Sequence, residues 1–268
     1  MKSEQDGGAM KVLFIGDIIG RPGRNSVRAH LHGIVERLKV DFVVANAENA
    51  AGGFGVTERA LGELLDMGIH VLTSGNHIWD KKEAVSLIEK EDRLLRPANY
   101  PPGTPGRGSI VYPAGRMKVA VLNLQGRVFM PAIDCPFRAA DELIERVSGE
   151  TKNIIVDLHA EATSEKIAMG WYLDGRVSAV IGTHTHVQTA DERLLNRGTA
   201  YITDVGMTGP RDSTIGVKNE QVLERFLHQV PTRFEVAKGP TLFSAVLVDI
   251  DEQTGRARAI QRLQLTTS

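Results

Sequence analysis

From Lys11 onward the chain alternates apolar runs, polar turns and helical spacings. The run KVLFIG, ending at Asp17, reads as a buried strand, and Val27, Leu31, Ile34, Val35 and Leu38 recur behind it at the spacing of one helix face. A second unit, DFVVANAEN, carries Glu48 and Asn49 at its end and leads through a glycine-rich loop into a helix from about Thr57 to Met67. In the third, IHVLTSGNH, the apolar part stops at Leu72 and the end presents Asn76 and His77. KVAVLNL, NIIVDLHAE and SAVIGTHTH repeat the plan, which predicts an α/β sandwich. TLFSAVLVDI and ARAIQRLQL read as antiparallel strands that close a second sheet.

Between these units, residues Pro97 to Pro105 hold four of the eleven prolines and predict a loop. VGMTGPRDSTIG also reads as a long loop, followed by a helix near Asn219 to His228. With 268 residues, 42% of them hydrophobic, the expectation is one domain over residues 10–268. The polar residues 1–9 are expected to be a disordered extension or the remnant of an added sequence, with Met10 as a natural start.

A net charge of −1 gives no long-range attraction for nucleic acid or an anionic membrane. Cys135, the single cysteine, excludes an internal disulfide and a cysteine-based zinc site. Its surroundings, DCPFR, do not suggest a reactive nucleophile. No segment approaches the roughly 20 apolar residues of a membrane helix, and the N-terminus lacks the apolar core of a secretion signal. A reducing cytoplasm is the expected compartment.

Five polar clusters end apolar runs: GDIIG around Asp17, NAEN around Glu48 and Asn49, GNH at Asn76 and His77, DLHAE around His159, and GTHTH with His184 and His186. In α/β folds ligands bind beyond the carboxyl ends of parallel strands, so distant clusters can meet in one crevice. Carboxylates, amide oxygens and several imidazoles, without a thiolate, are the donors that a pair of borderline metal ions requires. Calcium or magnesium alone would draw on fewer histidines. The HxH spacing places His184 and His186 on one side of an extended segment, letting one strand end reach two ions. Asn49 has a second reading, as an amide that caps a turn.

His30, His32, His70 and His228 lie outside the clusters and read as surface or packing residues. AGGFG lacks the phosphate-loop pattern and reads as a turn near the site. Arg127, Thr208 and Arg211 suit either the pocket wall or loop packing.

In chain order these clusters resemble the calcineurin-like metallophosphoesterases. The strings FIGDIIGRPG, NAENAAGGFG, SGNHIWD, RPANYPPGTPG, GRVFM, HAEATSEK, IGTHTHVQTAD and DVGMTGP narrow the resemblance to the YmdB-type branch, from about Met10 to the C-terminal strands. It implies a four-layer α/β/β/α sandwich of two mixed sheets with a dinuclear site at one edge. The implied activity is hydrolysis of small phosphodiesters, in particular 2',3'- or 3',5'-cyclic nucleotides. By the same resemblance Asp17, Asn49 and His186 hold a first metal, Asn76, His159 and His184 a second, and Glu48 bridges both. His77 stays off the metals and faces the substrate phosphate. The implied cofactors are two divalent or mixed-valence ions, iron or manganese foremost, with zinc, cobalt and nickel also suited to the donor set.

The chain departs from the broad superfamily pattern in three places. Ile19 replaces a histidine, Glu48 with Asn49 stands where a bridging Asp is usual, and Ile78 follows GNH in place of an acid. His77 therefore needs another orienting group, and Asp80 qualifies if the backbone turns it inward. Two ions facing two carboxylates leave excess positive charge, which suits an anionic substrate. Ions about 3.5–4 Å apart share a water, lower its pKa and hold phosphoryl oxygens for in-line attack by the bridging hydroxide. His77 as a general acid would contribute about 10²–10⁴ in rate. A phosphomonoesterase is the near alternative. A metal-stabilised nucleotide-binding or regulatory protein is the alternative from another class. Homo-oligomerisation is open at this level, with the stretch after Asp204 as a lid or an interface.

Overall fold

The computed structural model describes residues 8–267. Most of the stretch 1–9, expected to be disordered, lies outside the described residues, but Ala9 is already paired, opposite Asp251.

The first strand explains why its sequence is apolar without alternation. In β1 (Ala9–Ile15), Leu13 and Ile15 join a cluster packed under helices, while Val12 and Phe14 face a second layer of strands. Successive side chains point to opposite faces, and here both faces are buried. β2 (Asp17–Ile18) follows at once, then α1 (Gly20–Leu38), β3 (Phe42–Asn46), α2 (Glu58–Asp66), β4 (Val71–Thr73) and α3 (Ala84–Lys90). Thr57 caps α2 as its sequence suggests, its hydroxyl accepting from the Ala60 amide at 3.3 Å. Arg24 of α1 donates to the Ala50 carbonyl and to Glu63 of α2, tying the loop after β3 to both helices.

The second half supplies β5 (Ser109–Ala114), β6 (Met117–Gln125), α4 (Pro136–Ser148), β7 (Ile154–His159), α5 (Thr163–Leu173), β8 (Ala179–Thr183), β9 (Arg193–Leu194) and β10 (Ala200–Ile202). After these come β11 (Met207–Pro210), α6 (Asn219–His228), β12 (Thr241–Asp251) and β13 (Ala257–Thr267). One sheet runs β2-β11-β12-β1-β3-β4, with β13 beside β12; the other runs β5-β6-β7-β8-β10-β9. Both mix parallel and antiparallel pairs. One apolar cluster lies between the sheets, a second under α1, α2 and α3, and a third under α4 and α5. This is the four-layer α/β/β/α sandwich of two mixed sheets expected from the sequence.

Two local expectations are corrected. The C-terminal strands do not close a second sheet: β12 runs antiparallel to β1 from Ala9↔Asp251 to Ile15↔Ala245, so they complete the sheet that the N-terminus begins. Part of the supposed loop VGMTGPRDSTIG is strand β11, because Met207 and Thr208 pair with Asp17 and Ile18 while Gly209 and Pro210 pair with β12. That pairing fixes the backbone of Asp17. The proline-rich loop is observed, and the Arg96 guanidinium organises it by donating to the carbonyls of Pro97, Thr104, Pro105 and Gly106.

Candidate functional site

All five clusters meet at one end of the two sheets. β2 delivers Asp17, the turn after β3 delivers Glu48 and Asn49, and the turn after β4 delivers Asn76 and His77. His159 closes β7, and His184 and His186 follow β8. Among the described residues, two groups of side chains have ligand atoms within 4.8 Å of one another: Asp17, Glu48 and His186, and Glu48, His159 and His184. Glu48 belongs to both and is wholly buried. Two amide side chains lie beside these groups. Asn76 Oδ1 lies 3.1 Å from His159 Nε2, and Asn49 Nδ2 lies 3.1 Å from Glu48 Oε1 and 3.3 Å from His186 Nε2.

The spacing suits cations better than it suits the side chains themselves. His159 Nε2 has Glu48 Oε1 at 3.1 Å, Asn76 Oδ1 at 3.1 Å and His184 Nδ1 at 3.0 Å, more lone pairs than one ring proton can serve. Among the described residues, Asp17 Oδ1 and Asn49 Oδ1 are buried without a hydrogen-bond partner. An exchange of the two near-isosteric ends of the Asn49 amide would put that oxygen among the ligand atoms. The donors are oxygen and nitrogen with no thiolate, so the residues present fit two divalent ions.

Each histidine is held at the nitrogen that does not face its group, the arrangement that fixes tautomer and aim in metal sites. His159 Nδ1 lies 2.9 Å from Thr183 Oγ1, which in turn donates to Asp157 at 2.7 Å. His184 Nε2 lies 3.2 Å from Glu161, and His186 Nδ1 donates to the Ile215 carbonyl at 3.0 Å. Asn46 binds Asp157 through its amide nitrogen and accepts the Glu48 backbone amide with its oxygen, joining the two sheets under the site. None of these supporting groups stood out in the sequence. Asp157 and Glu161 flank His159 within DLHAE, which was the one available signal.

The HxH expectation is corrected in its geometry. His184 and His186 lie beyond β8 with φ of 94° and 67°, not in an extended segment, so period-two alternation does not aim them. The left-handed turns send one ring to each ligand group. Thr185 between them is anchored by Asp204, whose Oδ2 accepts from its amide at 3.0 Å and its hydroxyl at 2.7 Å. Asp204 also takes the ammonium of Lys166 at 2.7 Å, both side chains being buried.

Desolvation shifts the charge state of the buried groups. Burial pushes the Asp17 carboxyl up to about 6, and it pushes His184 down to about 3, helped by the neighbouring His159, so this ring stays neutral with a lone pair to give. Burial also opposes ionisation of Glu48, but His159 beside it and the amide of His77 outweigh that and hold the carboxyl low.

His77 is in neither ligand group. Its backbone amide donates to Glu48 Oε2 at 3.1 Å, and its ring Nδ1 lies 2.9 Å from Asp80 Oδ2. The backbone after GNH turns Asp80 back onto the ring, so the acid absent at Ile78 is supplied from two residues further on. Ile78 is instead wholly buried in the core. Ile19 is buried as well and lines the cavity over the site, as do Phe54 and His77, whose rings meet edge-on at 5.1 Å. Gly75 has no room for a side chain: a Cβ there would fall 2.1 Å from His159 Cδ2 and 2.5 Å from Glu48 Oε2.

The remaining candidates stand apart. His30 meets Thr267, His70 accepts from the Val43 amide, and His32 meets Glu36 on the surface. Thr208 bonds to Ser244 across β11 and β12, Arg211 pairs with Asp212, and the Arg127 amide donates to Glu165. None of these three is among the residues that line the cavity over the site.

A YmdB-like protein family model matches residues 13–263. A Bacillus subtilis protein named 2',3'-cyclic-nucleotide 2'-phosphodiesterase is 52% identical over 254 residues, covering 95% of this chain and 96% of its own. A solved structure of a hypothetical protein from Thermus thermophilus superposes with a TM-score of 0.91 at 44% identity, over 97% of this chain and all of that one. Another, described as a novel phosphatase from Mycoplasma pneumoniae, gives 0.91 at 34% identity over 97% and 94%.

Proposed function

The chain belongs to the YmdB-like family, and on that premise we propose that it is a metal-dependent phosphodiesterase acting on small cyclic nucleotides, 2',3'-cyclic species first. One observation carries the reading: two ligand groups share Glu48, and an oriented histidine outside both stands beside them in one cavity. Asp17, Asn49 and His186 would hold one ion, Asn76, His159 and His184 the other, with Glu48 common to both. When bound, two divalent ions supply Lewis acidity and activate water for attack on phosphorus. Iron or manganese is our leading choice, and zinc, cobalt and nickel also suit nitrogen and oxygen donors. The free thiol of Cys135 suits a reducing cytoplasm. Among the described residues no helix is long and apolar enough to cross a membrane.

His77 does the proton work. Asp80 accepts the Nδ1 proton, and in the doubly protonated ring the Nε2 proton can then go to the leaving alkoxide, returning the ring to neutral, or be shared with a phosphoryl oxygen. Glu48 takes the His77 amide and so fixes the distance from this ring to the ligand groups.

The test uses metal-stripped protein reloaded with manganese, iron or zinc and assayed on bis-p-nitrophenyl phosphate, 2',3'-cyclic AMP and p-nitrophenyl phosphate. We expect diester turnover only in the loaded protein, and His77→Ala should keep its metal while losing about 10²–10⁴ in kcat. Asp80→Asn should cost about tenfold, the lower range for loss of an orienting partner. Full metal occupancy without turnover would favour a binding protein. Preference for the monoester would favour a phosphomonoesterase, the reading that the Mycoplasma description supports.

Gly75 provides a prediction that removes no ligand. Gly75→Ala should lower metal affinity by about tenfold or more, because its methyl group displaces His159 and Glu48 together. Metal content after dialysis checks it, and unchanged occupancy would show that the turn yields without moving them.

A further inference from the structure

The cavity over the ligand groups measures about 520 Å³, far more than a phosphate fills and within the range of small-molecule sites. Beyond the ligand side chains and His77 its lining changes character. Phe54, Ile215, Val217, Phe226 and Phe234 present rings and aliphatic faces, and Arg225 is charged. The Arg225 guanidinium lies over the Phe234 ring at 5.3 Å, so a cation and an aromatic face are already stacked there.

This wall is built onto the ligand scaffold. Ile215, in a left-handed turn at φ 48°, orients His186 with its carbonyl and lines the cavity with its side chain. Phe54 meets the His77 ring edge-on, so aromatic surface begins beside the group that would address the phosphate. At the rim Phe226 of α6 leaves 69% of its surface in water.

We propose that the wall is a nucleobase subsite, in which the base of the substrate stacks on Phe226 and Phe234 beside Arg225 while its phosphodiester occupies the ligand groups. The proposal rests on the phosphodiesterase reading above and adds what the enzyme recognises beyond the phosphate. Stacking reads a π-face, which every base has, so base-bearing substrates are favoured over base-free ones and the four bases are poorly distinguished.

The test compares metal-loaded wild type, Phe226→Ala and Phe226→Ala/Phe234→Ala on 2',3'-cyclic AMP and on methyl riboside 2',3'-cyclic phosphate, which has the same reacting centre without a base. Wild type should favour the nucleotide by about 10- to 100-fold in kcat/KM, mainly through KM, the range that aromatic stacking on a base supports. Phe226→Ala, at an exposed position that the fold does not need, should lose about five- to tenfold of that preference. The double variant should approach parity. Equal kcat/KM in wild type, or a preference that survives the double variant, would overturn the base subsite and leave the phosphodiesterase standing. Hydrolysis of neither compound would sink the phosphodiesterase reading instead. Calorimetric titration with adenosine 3'-monophosphate and ribose 3-phosphate then decides the subsite alone: tighter binding of the nucleotide, lost in the double variant, supports it, and equal binding overturns it.

Discussion

Glu48→Gln protein is expected to fold, to bind neither ion firmly and to hydrolyse phosphodiesters at less than about a thousandth of the wild-type rate. Glu48 is the one residue common to both ligand groups, and its carboxylate is buried where no water can replace it. Glutamine keeps the volume and an acceptor for the His77 amide, so the loops hold their course while the charge that would face both cations is lost. A readout without turnover separates this from a catalytic defect. Ligand that binds only the folded state stabilises it, by about 2.7 kcal/mol at a hundred times its Kd. Wild-type Tm should therefore rise on adding manganese or zinc, and the Glu48→Gln Tm should not. Two tightly bound equivalents of metal in Glu48→Gln, with normal turnover, would remove the shared-ligand assignment.

Lys166→Met should be the most damaging change away from the ligands. It leaves the Asp204 carboxylate buried with its cation gone, and breaking a buried pair from one side costs about 3–5 kcal/mol. For a chain of this size that is a fall in Tm of roughly 6–20 °C. The same carboxylate holds Thr185 between His184 and His186, so weaker metal binding should accompany the lower Tm. Asp204→Asn with Lys166→Met, which removes both charges, should recover much of the stability, whereas an unchanged Tm in Lys166→Met alone would show that the pair contributes little. Calorimetry of the metal-free proteins measures the first effect and metal titration the second.

Lys166 and Asp204 also mark the limit of what a sequence discloses. Nothing in SEKIAMG or YITDVG announces that a lysine and an aspartate 38 residues apart meet inside the protein. The same holds for the supports of the histidines: Thr183, Glu161 and the Ile215 carbonyl were visible as residues but not as partners. Asp80 stood closer to legibility, because it is three residues from His77 and only the turn between them was undetermined.

What the sequence by itself determined was local. Unbroken apolar runs marked strands buried on both faces, helical spacing marked α1 and α2, and polar clusters ending the runs marked the site, because burial and backbone period act over a few neighbouring residues. Tertiary structure alone decided that β12 pairs with β1, that Met207–Pro210 is a strand, and that two left-handed turns divide His184 from His186. It also decided that α6 and the segment after it bring Phe226 and Phe234 into the cavity wall beside the ligand groups. Those features depend on contacts between segments that are far apart in the chain, and a local pattern carries no record of which distant segment will satisfy its hydrogen bonds or fill the space beside it.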